Sequence, residues 1–385
     1  MRVIAFYLPQ FHRTKENDKW WGEGFTEWTN VKKSKPLYPG HNQPRIPLNN
    51  NYYDLDNDFD KTMSWQIEIA KKYGVYGFCM YHYWFKDGKK ILERPVEKFL
   101  NDKSKDIPFC ICWANEPWTR TWSGQAKEVI MPQEYGDKEE WKQHFYYFLP
   151  FFKDERYIQQ DGKPLLVIYR PELIKQLDEM ISCWEELAKK EGLNGIYIVS
   201  QGSTYGTMRK TSNKVDAFIL YEPGHTQAEF SVSRTNLVKD FFMNPRLFIE
   251  VEGQKVKSQL GRMFKISNAK IRTTFLDYDA FWKHILNRKI DSNNLILGAF
   301  LDWDNSPRRK NKGARIFKGS SPEKFGRYFT QLCAKAEKET NFDMIFINAW
   351  NEWSEGTYLE PDTVNKYGYL EAIHSALKNY KRLRK

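Results

Sequence analysis

The stretch "DMIFINAWNEWSEGTYLEP", Asp343–Pro361, joins two kinds of sequence. Its first part, Asp343 to Trp350, is a short apolar run of the sort that forms a strand covered on both faces. From its last residue, Trp350, onward lie three Glu and two Trp within a few positions, where a plain surface turn would use Gly, Asn, Asp or Pro. A strand that ends in carboxylates and indoles is built to hold something at its tip. The fold then depends on how many such strands the chain contains.

Seven more runs of the same kind precede it: Arg2 to Leu8, Val75 to Trp84, Ile107 to Ala114, Pro164 to Tyr169, Ile196 to Gln201, Val215 to Tyr221 and Leu295 to Trp303. Helix-like segments at Lys61 to Tyr73, Lys138 to Phe152, Glu172 to Glu191, Pro322 to Lys338 and Tyr369 to Arg382 fall between or after them. Strands that alternate with helices form right-handed βαβ units, and eight of them close most naturally into a barrel. The expected fold is α/β, a single (β/α)8 TIM barrel occupying residues 1–385. It carries two long insertions, the N-terminal one from Pro9 to Asp60 and one after the sixth strand, Glu222 to Asn294. Long segments on a barrel commonly shape its site.

In a barrel, function gathers where the strands end. Near the first run lie Tyr7, Gln10 and His12; the second ends in Tyr81, His82 and Trp84, and the third in Trp113, Asn115, Glu116 and Trp118. Tyr221 follows the sixth, Asp302, Trp303 and Asp304 the seventh, and Asn351, Glu352, Trp353, Glu355 and Glu360 the eighth. Carboxylates and amides take vicinal hydroxyls, and aromatic faces stack on sugar rings, so this set is expected to bind an oligosaccharide or polysaccharide. No Gly-rich phosphate cradle with a Lys stands at a strand-to-helix junction, and no cofactor or metal is expected. Glu352 and Glu355 are three residues apart. If the chain turns helically there, their Cβ atoms share a face at ~5–6 Å, the arrangement of an acid and a base for glycosidic cleavage. Two like charges so close, further desolvated by Trp350 and Trp353, should raise one carboxyl into the range of a general acid. In an arbitrary loop Glu355 would more often cap a turn; at a barrel strand end the catalytic reading is preferred.

Composition fits a globular protein, with 41% hydrophobic and 28% charged residues among 385. Aromatic residues are abundant at 16%, which suits either a large aromatic core or sugar stacking. The net charge of +11 is concentrated in Arg308 to Arg315, Gly253 to Arg272 and the terminal "KNYKRLRK", and favours an anionic partner such as a membrane surface. Arg120, Arg308 and Arg309 are candidates for receiving an anionic group. Five cysteines, odd in number and mostly inside apolar runs, read as buried free thiols of a reducing compartment. The start "MRVIAFYLPQFH" has no basic leader before an apolar stretch, so the expected location is the cytoplasm, peripheral at the inner membrane face.

Five motifs carry a family resemblance: "AFYLPQFHRTKENDKWWGEGFTEWTNV", "GFCMYHYWF", "FCICWANEPWTRTW", "DWDNSPRR" and "NAWNEWSEGTYLEPD". "NEWSEGT", Asn351 to Thr357, resembles the Asn-Glu-Trp-x-Glu-Gly-Thr signature of glycoside hydrolase family 99, the endo-α-mannosidases, with Ser354 where those enzymes commonly show His. The whole set is similar to the WbsX-type branch, described as glycosyltransferases of cell-surface polysaccharide synthesis such as lipopolysaccharide O-antigen. The resemblance implies a (β/α)8 fold and a retaining mechanism. In it Glu352 deprotonates the sugar's own 2-hydroxyl, which displaces the leaving group through a 1,2-anhydro intermediate, while Glu355 acts as acid and then as base toward water. An axial 2-hydroxyl, as in mannose, is well placed for that attack.

Three function classes follow from these residues. The first is acid/base chemistry on a preformed glycan, hydrolysis or transglycosylation. The second is a glycosyltransferase drawing on an activated sugar donor, for which Asp302/Asp304 would be the cation-binding pair at a strand end. A non-catalytic glycan-binding protein ranks below both, since it would not need two carboxylates. A nucleic-acid binder would need basic residues interleaved with the strand-end aromatics, which here keep company with Glu, Asp and Asn instead.

Overall fold

A computed structural model describes residues 1–120, 125–202, 212–232, 273–310 and 313–382. Eight parallel strands form the barrel: β1 Arg2–Tyr7, β2 Gly77–His82, β3 Phe109–Trp113, β4 Lys163–Ile168, β5 Tyr197–Gly202, β6 Ala217–Leu220, β7 in two pieces (Leu295–Ile296 and Gly298–Phe300), and β8 Met344–Asn348. Each pairs with its neighbour in sequence, and β8 returns to β1, with Arg2 opposite Met344 and Ala5 opposite Ile347. The apolar runs are read correctly to within a few residues, because strands buried on both faces need no polar alternation.

The seventh run holds the feature that the sequence hides. Leu295 and Ile296 pair with Phe218 and Ile219 of β6, whereas Gly298 to Phe300 pair with Phe346 to Asn348 of β8. The strand thus changes partner at Leu297, whose carbonyl accepts from the Phe346 amide at 3.1 Å, and the barrel closes there. Gly298 permits it, since a Cβ at this position would stand 2.0 Å from the Leu220 carbonyl oxygen.

Helices cover the outside. Lys138–Phe152 begins where expected because the Asp137 side chain accepts from the amides of Glu139 and Glu140. The helix read as starting at Glu172 begins at Leu177 instead, Pro171–Leu173 forming a separate 3₁₀ turn. Helices Lys15–Trp21 and Glu27–Lys33 lie in the first insertion, and Gly224–Val232 and Tyr278–Asn287 in the second; no strong apolar period announced them. All five cysteines are buried free thiols. Among the described residues no helix is long and apolar enough to cross a membrane. Residues 253–272, the side chain of Arg120 and the end of the basic tail lie outside the described part.

Candidate active site at the C-terminal mouth of the barrel

The strand ends enclose a cavity of about 400 Å³, with Gln10, Tyr81, Glu116, Trp118, Tyr221, Glu352 and Glu355 in its wall. Its floor is aromatic: Phe6 of β1 stacks on Tyr81 at 5.6 Å and meets the edge of Tyr221 at 5.3 Å. Tyr83, Tyr169, Arg308 and Arg309 also line it. Tyr83 stands at the end of the second run with Tyr81 and His82, and Tyr169 ends the fourth, so strand-end position is the signal for both.

The two carboxylates are brought together by a helical turn, of the 3₁₀ type and set within a small hairpin. Asn351–Glu352 pairs antiparallel with Thr357–Tyr358, and Trp353–Glu355 between them makes one 3₁₀ turn. The tighter period of three places Glu352, just before the turn, and Glu355, closing it, toward the same side. Gly356 reverses the chain at φ +65°, and a Cβ there would meet the Asp304 backbone at 2.9 Å. That close approach lets the Asp304 amide donate to the Glu355 carbonyl at 2.8 Å.

Arg308 lies between the carboxylates. Its Nη1 donates to Glu355 Oε1 at 2.6 Å and its Nη2 to Glu352 Oε2 at 3.0 Å. A third carboxylate, Glu27 Oε1, stands 3.3 Å from the same Nη2. Arg308 is therefore not available to an incoming anion as the sequence reading had it; it already faces three carboxylates. Burial drives the Glu352 carboxyl up to about 8; Arg308 pulls against this, and the neighbouring charges of Glu355 and Glu27 add to it. Trp350 and Trp353 are not the desolvating walls at the cavity: Trp350 packs on Phe78 at 4.9 Å, and Trp353 stacks on Tyr358 at 3.8 Å.

Several residues expected at the sugar take other partners. Tyr7 donates to Gln66 at 2.9 Å, and Gln66 in turn donates to Glu360 at 2.6 Å. Glu360 also accepts from Trp353 at 2.6 Å and Tyr53 at 3.1 Å, and burial raises its carboxyl to about 7 against the pull of those donors. Asn351 bonds both the amide and the carbonyl of Leu8, stitching the exit of β8 to that of β1. Asn115 does the same for β3 and β4 through the backbone of Arg170. These groups brace the mouth from behind, because buried polar atoms need partners more than a ligand does.

The aromatic and histidine calls shift likewise. His12 is fully buried on the Pro9 carbonyl at 2.9 Å, and burial together with Arg94 lowers its ring to about 4. His82 contacts His144 at 3.1 Å, and Trp84 stacks on His144 at 4.4 Å; the Trp113 indole donates to the Trp84 carbonyl at 3.2 Å. These rings form one packed cluster outside the cavity wall. Asp302 and Asp304 are engaged by the first insertion: Asp302 by Arg45 at 2.8 Å, Asp304 by His41 at 2.8 Å and Gln43 at 2.7 Å. Burial opposes ionisation of Asp304, yet these hydrogen bonds and the Arg45 charge hold it down at about 2. Trp303 between them accepts from the Phe317 amide at 2.8 Å. Among the described residues no cluster of His, Cys, Asp and Glu has the arrangement of a metal site.

The sequence profile of the family described as Glycosyltransferase WbsX matches residues 3–373. The WxcX protein of Xanthomonas campestris pv. campestris (strain ATCC 33913) is 32% identical over 379 residues, which is 97% of this chain and 49% of the relative. The chain thus spans about half the length of the curated relatives it matches. Among solved structures, the GH99 endo-alpha-mannosidase from Bacteroides thetaiotaomicron superposes with a TM-score of 0.55 at 14% identity, over 100% of this chain and 98% of the other. A glycoside hydrolase-like protein gives 0.55 at 14%, over 97% and 93%. At that identity the likeness is one of fold, the barrel described above. The match over nearly its whole length identifies this chain as a member of the WbsX glycosyltransferase family, and so as a carbohydrate-active enzyme.

Proposed function

We propose that the chain, as one catalytic barrel over residues 1–385, acts on glycosidic bonds of a cell-surface polysaccharide or its lipid-linked precursor, by hydrolysis or transglycosylation with retention. The observation that supports it is the pair Glu352 and Glu355, both opening on one aromatic cavity and both bonded to Arg308. Tyr81, Tyr83, Tyr169, Tyr221 and Trp118 offer the flat faces and hydroxyls that suit a glycan. Glu352 takes the proton of the 2-hydroxyl as that oxygen attacks C1. The C1–O bond to the leaving group breaks, and Glu355 gives its proton to the departing oxygen. Water then adds at C1 with its proton passing to Glu355, and Glu352 returns a proton to O2. Arg308 holds both carboxylates on one guanidinium while charge moves between them.

The family's description favours a second reading, transfer from an activated sugar donor. Its acidic pair, Asp302 and Asp304, is held by Arg45, His41 and Gln43, which weighs for acid/base chemistry. The purified protein incubated with α-linked oligosaccharides is expected to release sugar of retained anomeric configuration, read by NMR. Nucleotide release from a nucleotide sugar, dependent on an acceptor, would overturn the hydrolytic reading. Peripheral association with an anionic membrane, where a lipid-linked glycan would sit, is checked by co-sedimentation with anionic vesicles.

A further inference from the structure

Glu27 sits on the helix Glu27–Lys33, 1% exposed, behind the cavity wall. Among the described residues the ion-pair partner of its carboxylate is Arg308, at 3.3 Å, and neither oxygen has a hydrogen bond. Its backbone is tied on two sides: its amide donates to the Gln10 carbonyl at 3.3 Å, and Ser354 Oγ donates to its carbonyl at 3.3 Å. The helix is thereby locked to the exit of β1 and to the turn that carries Glu355. A guanidinium that only needed neutralising would be satisfied by one carboxylate; here three converge on it, which leaves the cluster with an excess of negative charge when all are ionised.

We infer that Glu27 is a positioning residue: from behind the wall it holds Arg308 in place between Glu352 and Glu355, and it sets a third negative charge beside theirs. The inference rests on the reading of Glu352 and Glu355 as acid and base. Glu27 touches no substrate; it acts through Arg308. Facing the cluster from the other elements are Tyr81 and Tyr83 at the end of β2, Tyr169 after β4 and Tyr221 after β6, with Arg309 at the rim. Burial keeps these four phenols protonated well above neutrality, so the proton of the neutral range belongs to the carboxylates. A retained proton is what the reaction needs, one acid and one base in a site with two reacting carboxyls.

The test is a pH titration of the full chain carrying ¹³Cδ-glutamate, followed by NMR, with Glu352→Gln, Glu360→Gln and Glu116→Gln assigning the three resonances of raised midpoint. Glu27→Gln and Glu27→Ala both remove the charge, and either one that folds is expected to lower the Glu352 midpoint by about one pH unit or more. Glu27→Asp keeps the charge and is expected to leave that midpoint near the wild-type value while reducing kcat. An unmoved midpoint in the charge-removing variants, with only a loss of thermal stability, overturns the inference. A midpoint that moves in a protein inactive on every glycan tried overturns the acid/base reading instead, while supporting the coupling of Glu27 to Glu352.

Discussion

Glu352 is a carboxylate placed where a carboxylate is costly, buried beside a second and a third, with the Arg308 guanidinium to offset them. Activity should follow the carboxylic proton that this crowding retains, irrespective of which oxygen carries it at rest. We expect kcat/KM to fall as pH rises through about 8, where the carboxyl raised by burial ionises and no carboxylic proton is left in the site to reach the leaving oxygen. Glu355→Gln should lower turnover by ~10²–10⁴-fold and leave glycan affinity, measured by calorimetry, within a few-fold of wild type. Turnover that survives this change on an unactivated substrate places the acid elsewhere. Stability carries the mirror image. A carboxyl raised in the fold contributes stability that is complete below its ordinary value of 4.5 and is lost as pH climbs toward 8. Glu360, raised to about 7, works in the same direction. The unfolding midpoint should therefore decline between pH 5 and pH 8. Glu352→Gln should flatten the decline and exceed wild type at pH 8 by on the order of 2 kcal/mol, while being inactive.

At the scale of elements, the site depends on the first insertion meeting the turn after β8. His41, Gln43 and Arg45 reach across to Asp304 and Asp302, and Arg45 also donates to the Gly356 carbonyl at 3.0 Å. Asp304 is 1% exposed, so Asp304→Asn would turn an amide nitrogen toward donors with no water to take over. The expected cost at pH 7 is about 2–4 kcal/mol in denaturant unfolding, with a loss of kcat as the displaced side chain shifts residue 304, whose backbone amide anchors the Glu355 carbonyl. A carboxylate held at about 2 contributes stability that is full above its ordinary 3.8 and disappears as pH drops through 2, so the gap between variant and wild type should close in that acid window. Gly356→Ala tests the turn separately. The left-handed backbone and the close Asp304 backbone predict a loss of about 1–3 kcal/mol and a drop in kcat exceeding what the stability change explains.

For the molecule as a whole, closure of the barrel hangs on β7 changing partner between β6 and β8. Gly298→Ala would drive a methyl group into the Leu220 carbonyl at a gap of 2.0 Å and part those strands. It should destabilise by more than about 3 kcal/mol in thermal or denaturant unfolding, an unusually large effect for one added carbon. Most of this architecture could be read in advance. Doubly covered strands must be apolar along their length, so eight runs stand out; Asp137 and Ser321 mark helix starts by the hydrogen bonds their side chains can make. Glu352 and Glu355 were legible because a strand end crowded with carboxylates has no cheap structural excuse. What composition and spacing leave undetermined is who bonds to whom. Tyr7, Asn115, Asn351, Asp304 and Glu360 have the chemistry of sugar ligands, and packing instead gave each a protein partner, since a buried polar atom must find one locally. Arg308 looked like an anion receiver and Glu27 like one more acidic residue of a motif. Their meeting required the first insertion to fold over the mouth and reach the segment after β7, a long-range contact for which no local pattern in the chain has any signature.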